Sequence, residues 1–226
     1  MNPDTPACPA PWQLHGNGLI VLLKNSTERA LADPAIDKAM VPHLRSHYAV
    51  LMLVNYEQSN VGPYQELLYI PGSALIDGRR HLTISNIWVS SQASVDNGRR
   101  NWGIPKQLAN FNWQTQPDGG QRVRVEHAGQ TLIDLRYHGK GWACPVHTAF
   151  VPGFMRTLVQ SLDGQRYVYT PSAKGRCKLA SIQQLSTPSS LFPNIQASHV
   201  IAAFEANHFQ MTFPVAQVQA RALLHV

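Results

Sequence analysis

Short apolar runs separated by polar turns recur along the chain, and most carry the two-residue period of a strand. Residues 19–23, reached through Gly16 and Gly18, predict a buried strand. Residues 48–56 predict a second, rich in β-forming side chains and bounded by polar turns. Residues 66–70 predict a third, closed by Pro71-Gly72. The alternation over 81–89 predicts one strand with Leu82, Ile84, Asn86 and Trp88 on a common face. Residues 111–114, 122–127 and 130–137 predict successive strands. Their turns are Pro117-Asp118-Gly119-Gly120 and Ala128-Gly129, the second tight enough for a hairpin. Residues 165–170 and 174–184 predict a further pair across Pro171–Ala173, and 208–213 a last strand ended by Pro214.

Helical signals are few. Ser26 or Asn25 could cap a short helix running to about Met40, interrupted by Pro34. Residues 90–97 could form another, with Asp96-Asn97-Gly98 as a turn or cap. The prolines within residues 1–11 predict an extended arm. Neither an internal repeat nor a long biased linker is visible. Many short strands with few helices predict a single, mainly β (α+β) domain over 1–226, arranged as a sandwich or barrel.

Composition narrows the function classes. Charged residues make up 14% of the chain, against about 25% in ordinary domains. Such a surface relies on neutral polar groups or is covered by other subunits, so a homo-oligomer is expected. The net charge of +6 raises the question of nucleic acid. The basic residues are scattered, however, with only Arg79-Arg80 and Arg99-Arg100 as doublets, so no nucleic-acid partner is expected. Cys8, Cys144 and Cys177 form no C-x-x-C pair, which suits a reducing compartment. With no signal-like N-terminus and no apolar run near the roughly 18 residues of a membrane span, the expectation is a cytoplasmic protein without a membrane partner.

The candidate chemistry sits at residues 98–108, Gly-Arg-Arg-Asn-Trp-Gly-Ile-Pro-Lys-Gln-Leu. Lys106 is one of six lysines and follows Pro105, which fixes φ and offers no N–H. Most lysines after a proline are solvated surface residues. Here Trp102, Ile104, Leu108 and Phe111 surround the position with apolar side chains. Desolvation disfavours an ammonium group, and a neutral amine is a nucleophile toward carbonyls. Glu66 lies in a predicted strand with Tyr64 on the same face. It is either a solvated strand glutamate or an inward carboxylate that needs a partner. Cys144-Pro145-Val146-His147 lacks the further ligands a metal needs, so no metal is expected and Cys144 is expected to be a small buried hydrophobe. No G-x-S-x-G, P-loop or G-x-G-x-x-G is present.

Gly98-Arg99-x-x-x-Gly103-Ile104-Pro105-Lys106-x-Leu108-Ala109 resembles the lysine signature of the acetoacetate decarboxylase-like family, whose usual form is Gly-Arg-Glu, a short apolar link, then Pro-Lys-Lys-Leu. Upstream, Gly62-Pro63-Tyr64-Gln65-Glu66-Leu67 is similar to the family's Gly-x-Tyr-x-Glu strand. The resemblance implies a curved, barrel-like sheet with a central pocket. It also implies a lysine that forms a Schiff base with a keto acid, without a cofactor. On this reading Lys106 and Glu66 are the catalytic candidates, while Tyr64, Arg99, Trp102, Ile104 and His81 contact substrate, with Arg99 alternatively bracing the loop. The chain departs from the family at Gln107 for the second lysine and Arg100 for the glutamate, and the family's first-strand arginine has no clear counterpart near Asn17 or Lys24. Decarboxylation of acetoacetate or a related β-keto acid is therefore weighed against aldolase or dehydratase chemistry through the same lysine. A non-catalytic protein that binds an apolar or carotenoid-like molecule is the other alternative.

Overall fold

The computed structural model describes residues 5–38 and 40–220. They form mostly strands, in two sheets with few helices. The larger sheet has ten strands in the spatial order Gln107–Leu108, Asn86–Val89, Tyr64–Ile70, Tyr48–Gln58, Trp12–Lys24, Val200–Phe213, Ser172–Ser186, Gln130–His147, Gln121–His127, Asn110–Thr115. It curls into a nearly closed barrel. The smaller sheet runs Gln217–Ala220, Gln165–Tyr169, Leu158–Leu162, Arg79–Thr83, Gly72–Ile76, Leu44–Arg45.

The long apolar run near residue 50 has a simple reason: its strand is buried on both faces. Ala49, Leu51 and Leu53 join Leu19, Val21, Leu23 and Leu67 in one core, which Val123, Val125, Leu132 and Leu135 complete from the other side of the curl. Val54 and Tyr56 point the opposite way, with Trp12, Leu14, Tyr64, Leu68 and Ile70. That second face is covered by helix α2 (Gln92–Trp102) and by part of the smaller sheet, and an apolar cavity lies there.

Several expected elements are changed by the fold. Helix α1 (Thr27–Leu31) is capped by Ser26, whose Oγ accepts from the Arg29 N–H at 3.2 Å, but it ends far short of Met40. The alternation over 81–89 is broken, because Thr83 ends a strand of the smaller sheet and Asn86 begins one of the larger. Changing sheets shifts the register. Leu82, Ile84 and Ile87 face the cavity, whereas Trp88 joins the opposite core and Asn86 holds the buried Asp33 carboxylate at 2.8 and 3.0 Å. The strands Gln165–Tyr169 and Ser172–Ser186 are not a hairpin, for they belong to different sheets. The Ala128-Gly129 turn does make its hairpin, with φ of 48° and 76°. Cys144 is exposed rather than buried, because its strand overruns the core. Of the N-terminal arm, residues 1–4 lie outside the described residues. Residues 6–8 are tied to α2: Asn97 accepts from the Cys8 N–H at 2.8 Å and donates to the Pro6 carbonyl at 3.1 Å. Among the described residues no helix is long and apolar enough to cross a membrane.

Candidate active site

Helix α2 and the turn after it place Lys106. Ser91 caps the helix, which continues through Asp96-Asn97-Gly98 instead of stopping there. It stops at Gly103, whose φ of 61° is left-handed and whose N–H bonds back to the Arg99 carbonyl at 2.9 Å. Next comes a three-residue turn centred on Pro105, with the Lys106 N–H donating to the Ile104 carbonyl at 2.8 Å. A proline at the centre suits this turn, since its φ is already set and no donor is lost. The chain thus doubles back, and the Lys106 side chain lies along the helix. Gly98 makes the room: a Cβ there would sit 2.7 Å from Lys106 Cδ and 2.9 Å from Cε.

The Lys106 amine is 3% exposed as a residue and meets the Glu66 carboxylate, Nζ to Oε2, at 2.8 Å. Glu66 comes from Tyr64–Ile70, where period-two alternation puts Tyr64, Glu66, Leu68 and Ile70 on the cavity face. Two further partners complete the group. Nζ lies 3.0 Å from Ser94 Oγ, and the Tyr56 hydroxyl donates to Glu66 Oε1 at 3.2 Å. The amine also stands 5.0 Å from the centre of the Tyr64 ring, within the range of a cation–π contact. Burial, and then the nearby Glu66 carboxylate, hold the hydroxyls of Tyr56 and Tyr64 well above the usual phenol range. Both phenols therefore stay protonated at neutral pH.

This pair opens into a cavity of about 250 Å³ with mostly apolar walls, among them Trp12, Leu68, Ile84, Trp102, Ile104 and Phe213. The structure thus brings Lys106, Glu66, Tyr64, Trp102 and Ile104 to one cavity. It does not bring Arg99 or His81 there. Arg99 Nε donates to the Lys106 carbonyl at 3.0 Å and braces the turn from behind. His81 faces away from the cavity because strand alternation gives that face to Leu82. Burial, then the positive charges of Arg166 and Arg79, push its imidazole down.

Sequence reasoning missed three residues. Tyr56 stands directly opposite Tyr64 in the neighbouring strand, a pairing that appears only once register is known. Ser94 sits one turn before Gly98, and this pair of small residues four apart on a helix was the available signal. Arg156 lines the cavity from the loop before Leu158–Leu162. Its Nε and NH1 donate to the Val151 and Pro171 carbonyls at 3.3 and 3.0 Å, and among the described residues no carboxylate pairs with it. Nothing in its local sequence points to a pocket. Among the described residues, no three His, Cys, Asp or Glu side chains gather to hold a metal.

An amine and a carboxylate in contact at a mostly apolar cavity, with a hydroxyl beside each, can pass a proton between them and present the amine to a carbonyl. Comparisons with known proteins bear on the family and the fold. The family model described as acetoacetate decarboxylase (ADC) matches residues 2–184. Among solved structures, acetoacetate decarboxylase from Legionella pneumophila is 15% identical with a TM-score of 0.73, over 95% of this chain and 89% of that one. An acetoacetate decarboxylase-like enzyme from Sphingomonas wittichii RW1 is 12% identical with a TM-score of 0.67, over 96% and 95%. The enduracididine biosynthesis enzyme MppR, solved with HEPES bound, is 12% identical with a TM-score of 0.67, over 95% and 89%. Comparison with curated protein sequences finds no match.

Proposed function

The chain belongs to the acetoacetate decarboxylase family, and from that premise we propose that it is a Schiff-base-forming lyase acting on a keto acid. The observation that carries this reading is the buried Lys106–Glu66 contact of 2.8 Å at the apolar cavity. Attack on a ketone needs an amine with a free electron pair, and the Glu66 carboxylate is the group beside it that can take the proton. The nitrogen bonds to the ketone carbon, the oxygen leaves as water, and an iminium forms. In a β-keto acid the bond between the carboxylate and the α-carbon then breaks. CO2 departs, and the electron pair moves into the iminium to give an enamine. Protonation of the α-carbon, with Glu66 as the nearest proton carrier, and hydrolysis of the imine return Lys106 and release the ketone. The apolar walls favour this course, because a carboxylate losing its charge as CO2 gains from a poorly solvating pocket. Arg156 supplies a cation on the same cavity for the carboxylate of the incoming acid.

A second reading, aldol or dehydration chemistry through the same iminium, draws support from MppR. That enzyme is solved with pyruvate and with the condensation product of pyruvate and imidazole 4-carboxaldehyde. One experiment separates the readings. The protein is incubated with β- and α-keto acids, reduced with borohydride, and mapped by mass spectrometry while CO2 is followed. An adduct on Lys106 with CO2 release from β-keto acids supports the decarboxylase. An adduct without CO2 release supports aldol or dehydratase chemistry. If folded protein gives no Lys106 adduct with any carbonyl, both fall. A non-catalytic binder of apolar molecules then leads, and Lys106→Ala should keep its ligand affinity.

A further inference from the structure

The cavity beside Lys106 does not end where the proposed chemistry does. A second cavity of about 160 Å³ adjoins it. Met52, Thr148, Ala173 and Met211 are walls of both, so the two are separated by side chains and not by a sheet. Beyond that divider the second cavity is again apolar, with Val54, Ala206 and Phe209 in its wall. Two of the four dividing residues are methionines. Their unbranched thioethers have three rotatable bonds and adapt to the shape of a neighbour, so this partition can yield to a ligand where a branched or aromatic one would not.

Size points the same way. Pockets that bury organic ligands of moderate size run from about 300 to 1,000 Å³. The first cavity, at about 250 Å³, falls short of that range, and the two taken together enter it. A four-carbon keto acid needs neither the second cavity nor so much apolar wall. Apolar cavities do not hold water well, and their lining forgoes dispersion contacts until something apolar enters.

We infer that the carbonyl substrate of Lys106 carries a hydrocarbon chain, and that the second cavity receives the end of that chain past Met52 and Met211. This rests on the Schiff-base reading and adds the substrate class, a keto acid with an apolar tail. The groups that meet the carbonyl are unchanged. What changes is where the binding free energy comes from, which is the tail.

The test is a homologous series of 3-oxo acids of increasing chain length. For each, the rate of Lys106 adduct formation under borohydride is measured below saturation. Burial of one methylene contributes about 0.8 kcal/mol, so the rate should rise about fourfold per added methylene until the second cavity is filled. Ala206→Leu places bulk in the second cavity, and Ala206 is not a wall of the first. The variant should trap the four-carbon acid at the wild-type rate and lose the gain from longer chains. Wild-type rates that are flat or falling with chain length overturn the inference, and this arm decides even if the variant folds poorly. A variant that keeps the full chain-length gain also overturns it. Failure of every acid to form an adduct instead removes the Schiff-base reading on which the inference stands.

Discussion

At the scale of single residues, the amine is held by what is missing as much as by what is present. Gly98 has no side chain because the Lys106 stem occupies that space. Alanine is a better helix residue than glycine by roughly 0.5–1 kcal/mol. In Gly98→Ala, however, the new Cβ meets Cδ and Cε of a flexible stem. The stem will yield, and Nζ will swing away from Glu66 and Ser94. The expected outcome is a Tm within a few degrees of wild type together with a fall of at least about tenfold in borohydride trapping; normal trapping would show that the stem's path is not critical. Arg156 makes a separate prediction. A charge-assisted hydrogen bond contributes about 1.5–3 kcal/mol, so Arg156→Ala should raise KM for keto acids by about ten- to a hundredfold. Trapping of an uncharged ketone should not change. Equal effects on both would mean that Arg156 only holds the loop through the Val151 and Pro171 carbonyls.

Elements are joined at a few backbone positions, and Gly103 is the one that matters for the site. Its left-handed φ ends α2, and a Cβ there would lie 2.5 Å from the Tyr167 ring in the smaller sheet. An L-residue in that region costs about 1–2 kcal/mol before any clash. Gly103→Ala should therefore lower the unfolding free energy by at least about 2 kcal/mol, read as a lower urea midpoint. An unchanged midpoint would mean that the turn relaxes freely. On the far half of the larger sheet, Asp134 accepts from Arg122 and Arg124 across a strand pair. The hydrogen bond from Arg122, ahead of the other causes, holds its carboxyl below the ordinary 3.8. A carboxyl lowered in the fold stabilises above its unfolded value and loses that contribution as pH falls through the folded one. Both guanidiniums are more than a third exposed, so solvent screening reduces the effect to about 1 kcal/mol. Asp134→Asn should be less stable than wild type at neutral pH, and the gap should close as pH drops below about 3.8. A gap constant with pH would place its origin in packing.

For the whole molecule, the apolar surface is concentrated where the Gln130–His147 strand overruns the core and in the loop beyond it. Trp142 is 94% exposed and Phe150 90%, with Phe154 and Met155 following. Scattered apolar residues are normal on a surface, but a run of large ones is typical of a contact face. With charged residues at only 14% of the chain, the expected outcome is a homo-oligomer by sedimentation or light scattering. Trp142→Asp combined with Phe150→Ser should shift it toward smaller species. A wild-type monomer at micromolar concentration would remove this expectation. The same loop carries Met155 and Arg156 to the cavity wall, so dissociation should also weaken keto acid binding.

Periodicity and turn chemistry alone determined the strand-rich class, the hairpin at Ala128-Gly129, a helix start at Asn25 or Ser26 and the shared face of Tyr64 and Glu66, because each depends on neighbours a few residues away. The lysine turn was legible for the same reason: Gly103, Pro105 and Lys106 are adjacent, and proline and glycine constrain the backbone wherever they stand. The tertiary structure alone decided the rest. It broke the 81–89 alternation by moving the chain between sheets. It turned Arg99 to the back of the loop, took His81 off the cavity and brought in Tyr56, Ser94 and Arg156. Each of these depends on register or on contacts between distant segments, such as Tyr56 opposite Tyr64 and Arg156 against the Pro171 carbonyl. A local pattern states which faces are apolar, but not which other face each will meet.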